Sequence, residues 1–434
     1  MTTTSPPLEK AIVLLDPVTE YKPVILAALA KNLIVLAVQL SPVEDRMRKF
    51  VPTPAMLKEA GVHHVLDLQD RDVYACAHAL KVLQQQQPTN LSIQGVIPLA
   101  ETAVDFSDTI SAMLGLPHHN PLELAISRRD KGFMKEAVRA SGLRVAQFAR
   151  LASVQELQTQ MTELGIDLPV VVKTPQGFST TDVFICKSFQ EAETALESIL
   201  NSIGPDGRRV RQALLEEYIG GTEFAVNLMA FQERIVVTDV WKYVKTDQAR
   251  YSSAEICDPN DPSLESIVSY AMGVAKAVGI NFGAGHVELK AQEQADGCYV
   301  DPVMMEVGAR LSGGRKATMT QAALNGEWDP FAALIDSHSG IQPKVMDRYS
   351  PKRFVSHLFL PIEKSGTVRR VKIDVSELSS MHSHAMIVKE GDIVKETTDI
   401  TSCAGFVWLV GDRSQVEIDT TSILSSFQLQ IKET

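Results

Sequence analysis

Two glutamates stand alone inside apolar runs on either side of a turn. Glu288 lies in "GHVELK" and Glu306 in "MMEVGAR", equally far from Gly297 in the "QADG" turn. Side chains on a strand alternate between faces, so a hairpin centred on that turn places the two carboxylates opposite each other. Such a pair suits a hard divalent ion such as Mg2+, which also takes phosphate oxygens. Isolated glutamates are equally typical of the solvated face of an edge hairpin, so the hairpin alone leaves both interpretations open.

A lysine and a loop rich in hydroxyl groups follow another apolar run. Lys173 ends "PVVVK", and the next residues, "TPQGFSTTD", contain Thr174, Ser179, Thr180 and Thr181. A single lysine at a strand end is more simply a side chain that reaches water. Together with backbone N–H and hydroxyl donors in the loop, however, Lys173 favours a site for phosphate oxygens.

A third segment combines a strand with a glycine turn. In "LLEEYIGGTEF" the apolar start indicates a strand, and Gly220 and Gly221 indicate a turn. Backbone at such a strand end can present one C=O and one N–H group to the edge of an adenine ring.

Composition excludes several classes of protein. The chain has 434 residues, 45% of them hydrophobic and 22% charged, which is ordinary for a globular protein with several domains. The net charge of -11 disfavours general nucleic-acid binding, and no apolar run is long enough to span a membrane. The five cysteines have no paired spacing, and the first residues lack a secretory signal, so we expect reduced thiols and a cytoplasmic location.

The order of elements predicts three parts that must position these residues. Residues 1–120 alternate strands and helices, which predicts a doubly wound parallel α/β domain. No Gly-x-Gly-x-x-Gly follows its first strand, so we do not expect a dinucleotide. Residues 121–345 are predicted to be α+β, with a helix starting at Pro121. Residues 346–434 are predicted to be β-rich, with "QVEIDT" as a strand and "SILSSFQLQIKE" as a closing helix.

Five segments in order resemble the ATP-grasp superfamily of carboxylate-amine ligases. They are "RRDKGFMKEAVRASGL", "PVVVKTPQGFSTTD", "LLEEYIGGTEFAV", "GHVELK" and "MMEVGARLSGG", over about residues 120 to 330. With "HAMIVKEGDIV" and "AGFVWLVGD" in the last part, the chain is most similar to L-amino-acid ligases, which make dipeptides. The resemblance implies an ATP-grasp fold, in which an N-terminal α/β domain precedes central ATP-grasp A and B subdomains and a C-terminal β-rich lobe. It also implies ATP-dependent amide-bond formation through an acyl phosphate, with release of ADP and phosphate.

The resemblance also implies roles for particular residues. The nucleotide-binding residues would be Lys131 and Lys173 for the phosphates, Glu216, Glu217 and Ile219 for the adenine, and Glu223 for the ribose, with Ser179 and Thr180 in the phosphate loop. Glu288 and Glu306 would bind Mg2+, with Mn2+ as the alternative metal. The catalytic residues would be Arg310, His286 and Lys173, and the substrates would contact His286, Arg310, Ser312, Gly313 and Gly314. The residues alone are also compatible with a purely structural role for His286.

One position departs from the family pattern, and two other functions remain as alternatives. Gly308 stands where many members have an asparagine that helps bind metal, so a two-metal arrangement is not implied. A carboxylase or purine-pathway enzyme would share the fold, but "VKEGDIV" lacks the Met-Lys target of a biotin carrier. A non-catalytic ATP-binding regulatory protein would not need the lysines, the arginine and the glutamate pair. The predicted partners are small carboxylate and amine substrates and, as a further expectation, a second copy of the chain in a homodimer.

Overall fold

The structure is a computed structural model that describes residues 8–40, 51–68, 71–85, 91–177, 182–204, 207–246, 250–346 and 348–432. The strands within these ranges form four sheets, against which the helices pack. No helix in the described ranges is long and apolar enough to cross a membrane.

The first part of the chain contains a parallel sheet. Its strands and helices are β1 (Glu9–Leu15), α1 (Tyr21–Ala30), β2 (Ile34–Gln39), α2 (Pro54–Glu59), β3 (His64–Asp67), α3 (Val73–Gln85), β4 (Leu91–Pro98) and α4 (Val104–Met113). The strand order is β3-β2-β1-β4, and all pairs are parallel. Ile12 and Leu14 face one apolar cluster while Val13 and Leu15 face another, so both faces of the sheet are covered. The predicted doubly wound parallel sheet is confirmed.

The segment after α4 differs from the prediction. Two short 3-10 turns precede α5 (Lys131–Ala140), so the helix predicted to start at Pro121 starts later. Asp130 sets this start because its carboxylate accepts hydrogen bonds from the backbone N–H groups of Gly132 and Phe133. The cap overrides the apolar periodicity that continues upstream of it.

A small antiparallel sheet comes next. It consists of β5 (Phe148–Leu151), β6 (Val170–Lys173), β7 (Val183–Cys186) and β8 (Ala213–Glu217), with α6 (Leu157–Leu164) and α7 (Phe189–Leu200) packed on it. The order is β5-β8-β6-β7. Because β6 and β8 are neighbours, the end of β6 that carries Lys173 lies beside the strand that carries Glu216.

An eight-stranded sheet forms the centre of the molecule. Its strands are β9 (Thr222–Phe231), β10 (Arg234–Lys245), β11 (Tyr251–Cys257), β12 (Phe282–Glu293), β13 (Tyr299–Gly308), β14 (Phe354–Leu360), β16 (Met381–Met386) and β18 (Gly405–Gly411), in the order β13-β12-β9-β10-β11-β14-β18-β16. The helices α8 (Glu265–Ala277), α9 (Lys316–Ala323) and α10 (Pro330–His338) lie between these strands in sequence. The sheet joins the middle of the chain to its last part, so the β-rich lobe is continuous with it.

The end of the chain corrects two predictions. A three-stranded sheet is formed by β15 (Gly366–Lys372), β17 (Ile393–Val394) and β19 (Gln428–Lys432), and α11 (Arg413–Ser426) precedes its last strand. The strand predicted at "QVEIDT" is wrong because Val416, Asp419 and Ile423 recur at helical spacing and are buried on one face of α11. The closing helix was predicted to include all of "SILSSFQLQIKE", but α11 ends at Ser426. The alternating residues "QLQIK" form a strand that pairs with β15.

Polar and apolar contacts hold the N-terminal part of the chain against the central part. Lys31, which follows the last residue of α1, forms an ion pair of 2.7 Å with Asp336 on α10. The backbone N–H of Thr318 on α9 donates a hydrogen bond of 3.2 Å to Glu20. These contacts, with a shared apolar cluster, bring the carboxyl end of β4 against the segment that follows β13.

Candidate active site

The glutamate hairpin has the register predicted from the sequence. β12 and β13 are antiparallel, and Glu288 is paired directly with Glu306. The neighbouring pair, Val287 and Val307, is fully buried on the opposite face, while both glutamates are half-buried. The alternation of apolar and acidic residues therefore places two carboxylates on one face because the other face is needed for the core.

This donor set fits one hard divalent ion that takes its remaining oxygens from a ligand. Two facing carboxylates supply anionic oxygen ligands of the kind that Mg2+ and Mn2+ prefer. Within the described ranges, no group of three or more His, Cys, Asp and Glu side chains is arranged to hold a metal. An ion at the hairpin would therefore depend on Glu288, Glu306 and non-protein oxygens together.

Lys131 connects the hairpin with the loop after β6. Its ammonium lies 3.1 Å from Glu306 Oε1 and donates a hydrogen bond of 2.5 Å to the carbonyl oxygen of Gly177. As the first residue of α5, the lysine is held in this position by the Asp130 cap. The charge of Lys131 is thus available to a phosphate that approaches the glutamates.

A buried carboxylate between two lysines lies behind the phosphate loop. Lys173 Nζ is 2.9 Å from Glu216 Oε2, and Lys135 Nζ is 3.2 Å from Glu216 Oε1. All three residues are buried. Lys135 was not predicted, although it lies one turn after Lys131 on the same face of α5, a spacing that would have pointed to it.

Burial and the neighbouring charges both affect the pKa values within this triad. Burial would raise the pKa of Glu216, but the ammonium groups of Lys135 and Lys173 outweigh that effect and lower it. Burial lowers the pKa of Lys135 to about 8, against the raising effect of Glu216. The carboxylate is therefore fixed as an anion and an acceptor at the base of the site.

The predicted adenine segment follows β8 directly. The carboxylate of Glu217 turns away from the triad and accepts a hydrogen bond of 3.0 Å from the backbone N–H of Gln147. Lys290 donates a hydrogen bond of 3.0 Å to the carbonyl oxygen of Ile219, and its ammonium lies 5.2 Å from the ring centre of Tyr218. The backbone of residues 217–219 is thus braced by β12.

The predicted ribose residue belongs to a polar cluster on the same side. Glu223 accepts hydrogen bonds of 2.8 Å from Lys245 Nζ and from the hydroxyl group of Tyr251. Burial, followed by the charge of Glu223, raises the pKa of Tyr251, so its hydroxyl remains a donor. The sequence predicted Glu223 but not these two partners on neighbouring strands.

The ring of His286 is held from both sides. Nδ1 lies 2.8 Å from Asn227 Oδ1, and Nε2 lies 2.9 Å from Glu288 Oε1. Asn227 Nδ2 donates to the buried carboxylate of Asp239, so the amide must offer its oxygen to the ring. Both ring nitrogens of His286 therefore face acceptors, Nδ1 the amide oxygen of Asn227 and Nε2 the carboxylate of Glu288, the predicted metal ligand.

This contact helps to keep Glu288 ionised. Burial raises the pKa of Glu288, but the hydrogen bond and charge of His286, with the charges of Lys316 and Arg310, reverse the effect and lower it to about 2. His286 was predicted to lie near an acyl substrate. In the structure its polar contacts are with Asn227 and Glu288.

Arg310 pairs with a residue that the sequence did not reveal. Its Nε donates a hydrogen bond of 2.7 Å to Glu101 Oε2, and Nη1 donates to the carbonyl oxygen of Leu311. The Glu101 side chain is 4% exposed, and its other oxygen, Oε1, has no hydrogen-bond partner among the described residues. Its position just after the carboxyl end of β4, where ligands bind in parallel sheets, is the signal that would have pointed to it.

The predicted substrate turn follows Arg310. Ser312 is buried, whereas Gly313 and Gly314 are exposed. Gly314 has a φ of +72°, and a Cβ atom there would lie 3.0 Å from His357 Cε1. A side chain there would be strained by the backbone conformation and crowded by His357. Ser179 and Thr180, predicted for the phosphate loop, lie outside the described residues.

Comparison with known proteins defines the class. Residues 166–317 match the family model described as the ATP-grasp domain. With the parallel N-terminal sheet and the antiparallel sheets that hold the hairpin, the chain has the ATP-grasp fold. The matched residues contain four of the five segments whose motifs resemble this family, at least in part.

Its relatives narrow the class. The chain is 27% identical over 355 residues to dapdiamide A synthase of Enterobacter agglomerans, covering 79% of this chain and 80% of the relative. It is 23% identical to the L-arginine-specific L-amino acid ligase of Bacillus subtilis, covering 63% and 65%. The crystal structure of an L-amino acid ligase from Bacillus licheniformis superposes with a TM-score of 0.77 at 18% identity, covering 99% and 100% of the two chains. The predicted family resemblance and fold class are confirmed, and these relatives are named as ligases and a synthase.

Proposed function

We propose that this protein joins the carboxylate of one amino acid to the amine of a second at the expense of ATP. The products are a dipeptide-like amide, ADP and phosphate. The observation that carries the proposal is the pairing of Glu288 with Glu306, with Lys131 beside the pair. The ligase names of the relatives support the same chemistry.

The nucleotide is proposed to bind between the small sheet and the central sheet. The adenine would lie along residues 217–219, the ribose at Glu223, and the phosphates at Lys131 and Lys173. The buried Lys135–Glu216–Lys173 triad supports this placement because it holds the Lys173 ammonium at the end of β6, where the phosphate loop begins. Ser179 and Thr180 remain predicted donors in that loop.

The first step is phosphoryl transfer to the substrate carboxylate. One carboxylate oxygen attacks the γ-phosphorus, the bond to the β-phosphate oxygen breaks, and ADP leaves. A divalent ion at Glu288 and Glu306, Mg2+ or Mn2+, would neutralise phosphate charge when bound. Lys131, Lys173 and Arg310 contribute further positive charge, and His286 keeps Glu288 ionised and oriented.

The second step forms the amide. The amine attacks the acyl carbon, the new C–N bond forms, the C–O bond to phosphate breaks, and a proton leaves the amine. The protein's task is to align the reactants and exclude water, since water would hydrolyse the acyl phosphate. Arg310, whose forked guanidinium matches a carboxylate or phosphoryl group, is proposed to hold the reacting centre with the turn Ser312–Gly313–Gly314.

Glu101 supports an amino acid, rather than a simple acid, as the first substrate. A buried carboxylate oxygen without a hydrogen-bond partner is costly unless a ligand satisfies it. Glu101 also adjoins Arg310, so one side of the pair can bind a carboxylate and the other an ammonium group. The two groups of an α-amino acid match this arrangement, whereas bicarbonate supplies no ammonium group.

The test is ADP release and product formation with amino acids supplied singly and in pairs. We expect ATP turnover that requires a divalent metal and an added amino acid, and a product whose mass is the sum of two amino acids less one water. Turnover that is equally fast without an acid, or with bicarbonate alone, would contradict the proposal. Tight ATP binding without turnover on any amino acid would favour a regulatory protein instead.

A further inference from the structure

A buried lysine close to the glutamate hairpin has no carboxylate partner. Lys316, the first residue of α9, is 5% exposed. Its ammonium donates a hydrogen bond of 3.1 Å to the hydroxyl group of Tyr243 and lies 5.8 Å from the ring centre of Trp241. Among the described residues, no carboxylate forms an ion pair with it. The cation is thus held in a mostly aromatic setting without a contacting carboxylate.

Two further features make this position costly. A cation at the first residue of a helix faces the positive end of the helix dipole. Burial lowers the pKa of the Lys316 ammonium, and the attraction of Glu288 and Asp239 only partly opposes that effect. Because an ammonium without a contacting counter-ion is expensive to bury, the arrangement favours an anionic ligand.

A second unsatisfied polar group lies next to the lysine. His357 on β14 is 2% exposed, and within the described ranges neither ring nitrogen has a hydrogen-bond partner. Its ring is stacked on Trp408, whose indole N–H donates to the carbonyl oxygen of Gly314. Burial and the charge of Lys316 lower the pKa of His357, so the ring is neutral and one nitrogen carries a proton that can be donated.

Both groups converge on the same glycine. A Cβ atom on Gly314 would lie 3.2 Å from His357 Nδ1 and 3.7 Å from Lys316 Nζ. Gly313 and Gly314 are exposed and carry no side chains, so no side chain of these two residues covers the donors. A cationic donor and a ring nitrogen without a partner among the described residues, both close to one turn, suit a small anion with two oxygens.

We propose that Lys316 and His357 bind the α-carboxylate of the second amino acid, whose amine attacks the acyl phosphate. This inference rests on the proposed function. One carboxylate oxygen accepts from the Lys316 ammonium and the other from the His357 ring. Arg310 and Glu288 both act electrostatically on Lys316, so the anion is held beside the reacting centre, and the amine of the same amino acid is one carbon away. The phosphates have Lys131 and Lys173 on the opposite, small-sheet side.

The experiment compares a second amino acid with its own carboxamide as the nucleophile. The carboxamide keeps the amine and side chain but loses the negative charge. We expect the wild-type protein to have a KM for the free amino acid at least about tenfold lower than for the carboxamide, as a hydrogen bond to a charged group implies. Lys316→Met is expected to raise the KM for the free amino acid about 10- to 100-fold more than the KM for the carboxamide.

Matched variants separate this role from others. Lys316→Arg keeps the charge and is expected to restore part of the preference for the free amino acid. Lys276→Met removes an exposed lysine of α8 and is expected to leave the preference unchanged. If Lys316→Met does not fold, two measurements remain that test the inference. They are the preference of the wild type for the free amino acid over the carboxamide, and the same preference in Lys316→Arg.

Three outcomes would overturn the inference. Equal KM values for the acid and the carboxamide in the wild type would show that the carboxylate is not recognised. If Lys316→Met raised the KM of both nucleophiles equally and also raised the KM for ATP, Lys316 would be assigned to phosphate binding instead. Absence of any amide product in the wild type, with any pair of amino acids, would contradict the proposed function itself and remove the basis of the inference.

Discussion

Glu288 on β12 lies directly opposite Glu306 on β13, and each carboxylate has a different cationic or polar neighbour. His286 contacts Glu288 at 2.9 Å, and Lys131 contacts Glu306 at 3.1 Å. The two acids therefore share a face without sharing a partner, which leaves room for a common cation. The first prediction addresses this pair.

Replacing Glu306 by Gln keeps the shape of the side chain but removes one anionic ligand. We expect ligation to slow by at least about 100-fold, because neutralisation of the transferring phosphoryl group is weakened. Loss of the contact with Lys131 and relief of repulsion from Glu288 oppose each other, so stability without nucleotide is expected to change little. The measurement is the thermal shift on adding MgATP, which should be smaller than in wild type.

The matched control is Glu197→Gln, which changes an exposed glutamate of α7. It is expected to show the wild-type thermal shift and rate. Equal shifts and rates in Glu306→Gln and wild type would show that the hairpin holds no catalytic cation.

Lys173→Ala tests the buried triad. On its own, a lysine at this strand end is more simply a side chain that reaches water. In the structure it is buried and paired with Glu216, so truncation is expected to lower the free energy of unfolding by about 2 to 4 kcal/mol as well as to weaken ATP binding. Urea unfolding and the KM for ATP measure the two effects, with the exposed Lys187→Ala as control. Wild-type stability in Lys173→Ala would contradict the buried pair.

Lys135 makes the stability depend on pH in a defined direction. Its pKa is about 8 in the folded protein, below its ordinary value of 10.5, so the unfolded chain binds more protons between these two values. Stability contributed by this group therefore rises with pH across that window. We expect wild type to gain about 1 to 3 kcal/mol relative to Lys135→Met between pH 8 and 10.5. A constant or falling difference in unfolding free energy would contradict a depressed pKa.

Glu101→Gln tests recognition of the first amino acid. The variant keeps the hydrogen-bonding shape but loses the charge that would bind an ammonium group. We expect the KM for the first amino acid to rise about 10- to 100-fold, and the KM for the matching acid without an α-amino group to change much less. Equal changes for both acids would mean that Glu101 acts only by orienting Arg310.

The sequence predicted those parts of the site that lie close together along the chain. The hairpin register followed from the alternation around Gly297, because one face had to be apolar. Lys131 and Lys173 were recognised through segments typical of the family. Tertiary contacts were not accessible in this way: Glu101 and Arg310 are 209 residues apart, and only the packing of the N-terminal sheet brings them together.

The errors have a common physical origin. "QVEIDT" alternates like a strand, but Val416, Asp419 and Ile423 also share a helical face, and Asp419 is fixed there by Ser380. Lys135 was overlooked because a lysine in an amphipathic helix usually marks the solvent side, whereas here Glu216 makes its burial tolerable. Short periodic segments and buried charges are decided by partners that are distant in sequence.

The most direct test of the account follows oxygen atoms from the substrate carboxylate. With a first amino acid labelled with 18O in its carboxylate, attack on the γ-phosphorus makes one labelled oxygen the bridge between carbon and phosphorus. Attack by the amine then leaves that oxygen on phosphate. We predict that mass spectrometry will find one 18O atom in each phosphate released with the amide product. Unlabelled phosphate, or label in AMP, would show that no acyl phosphate is formed and would contradict the proposed reaction.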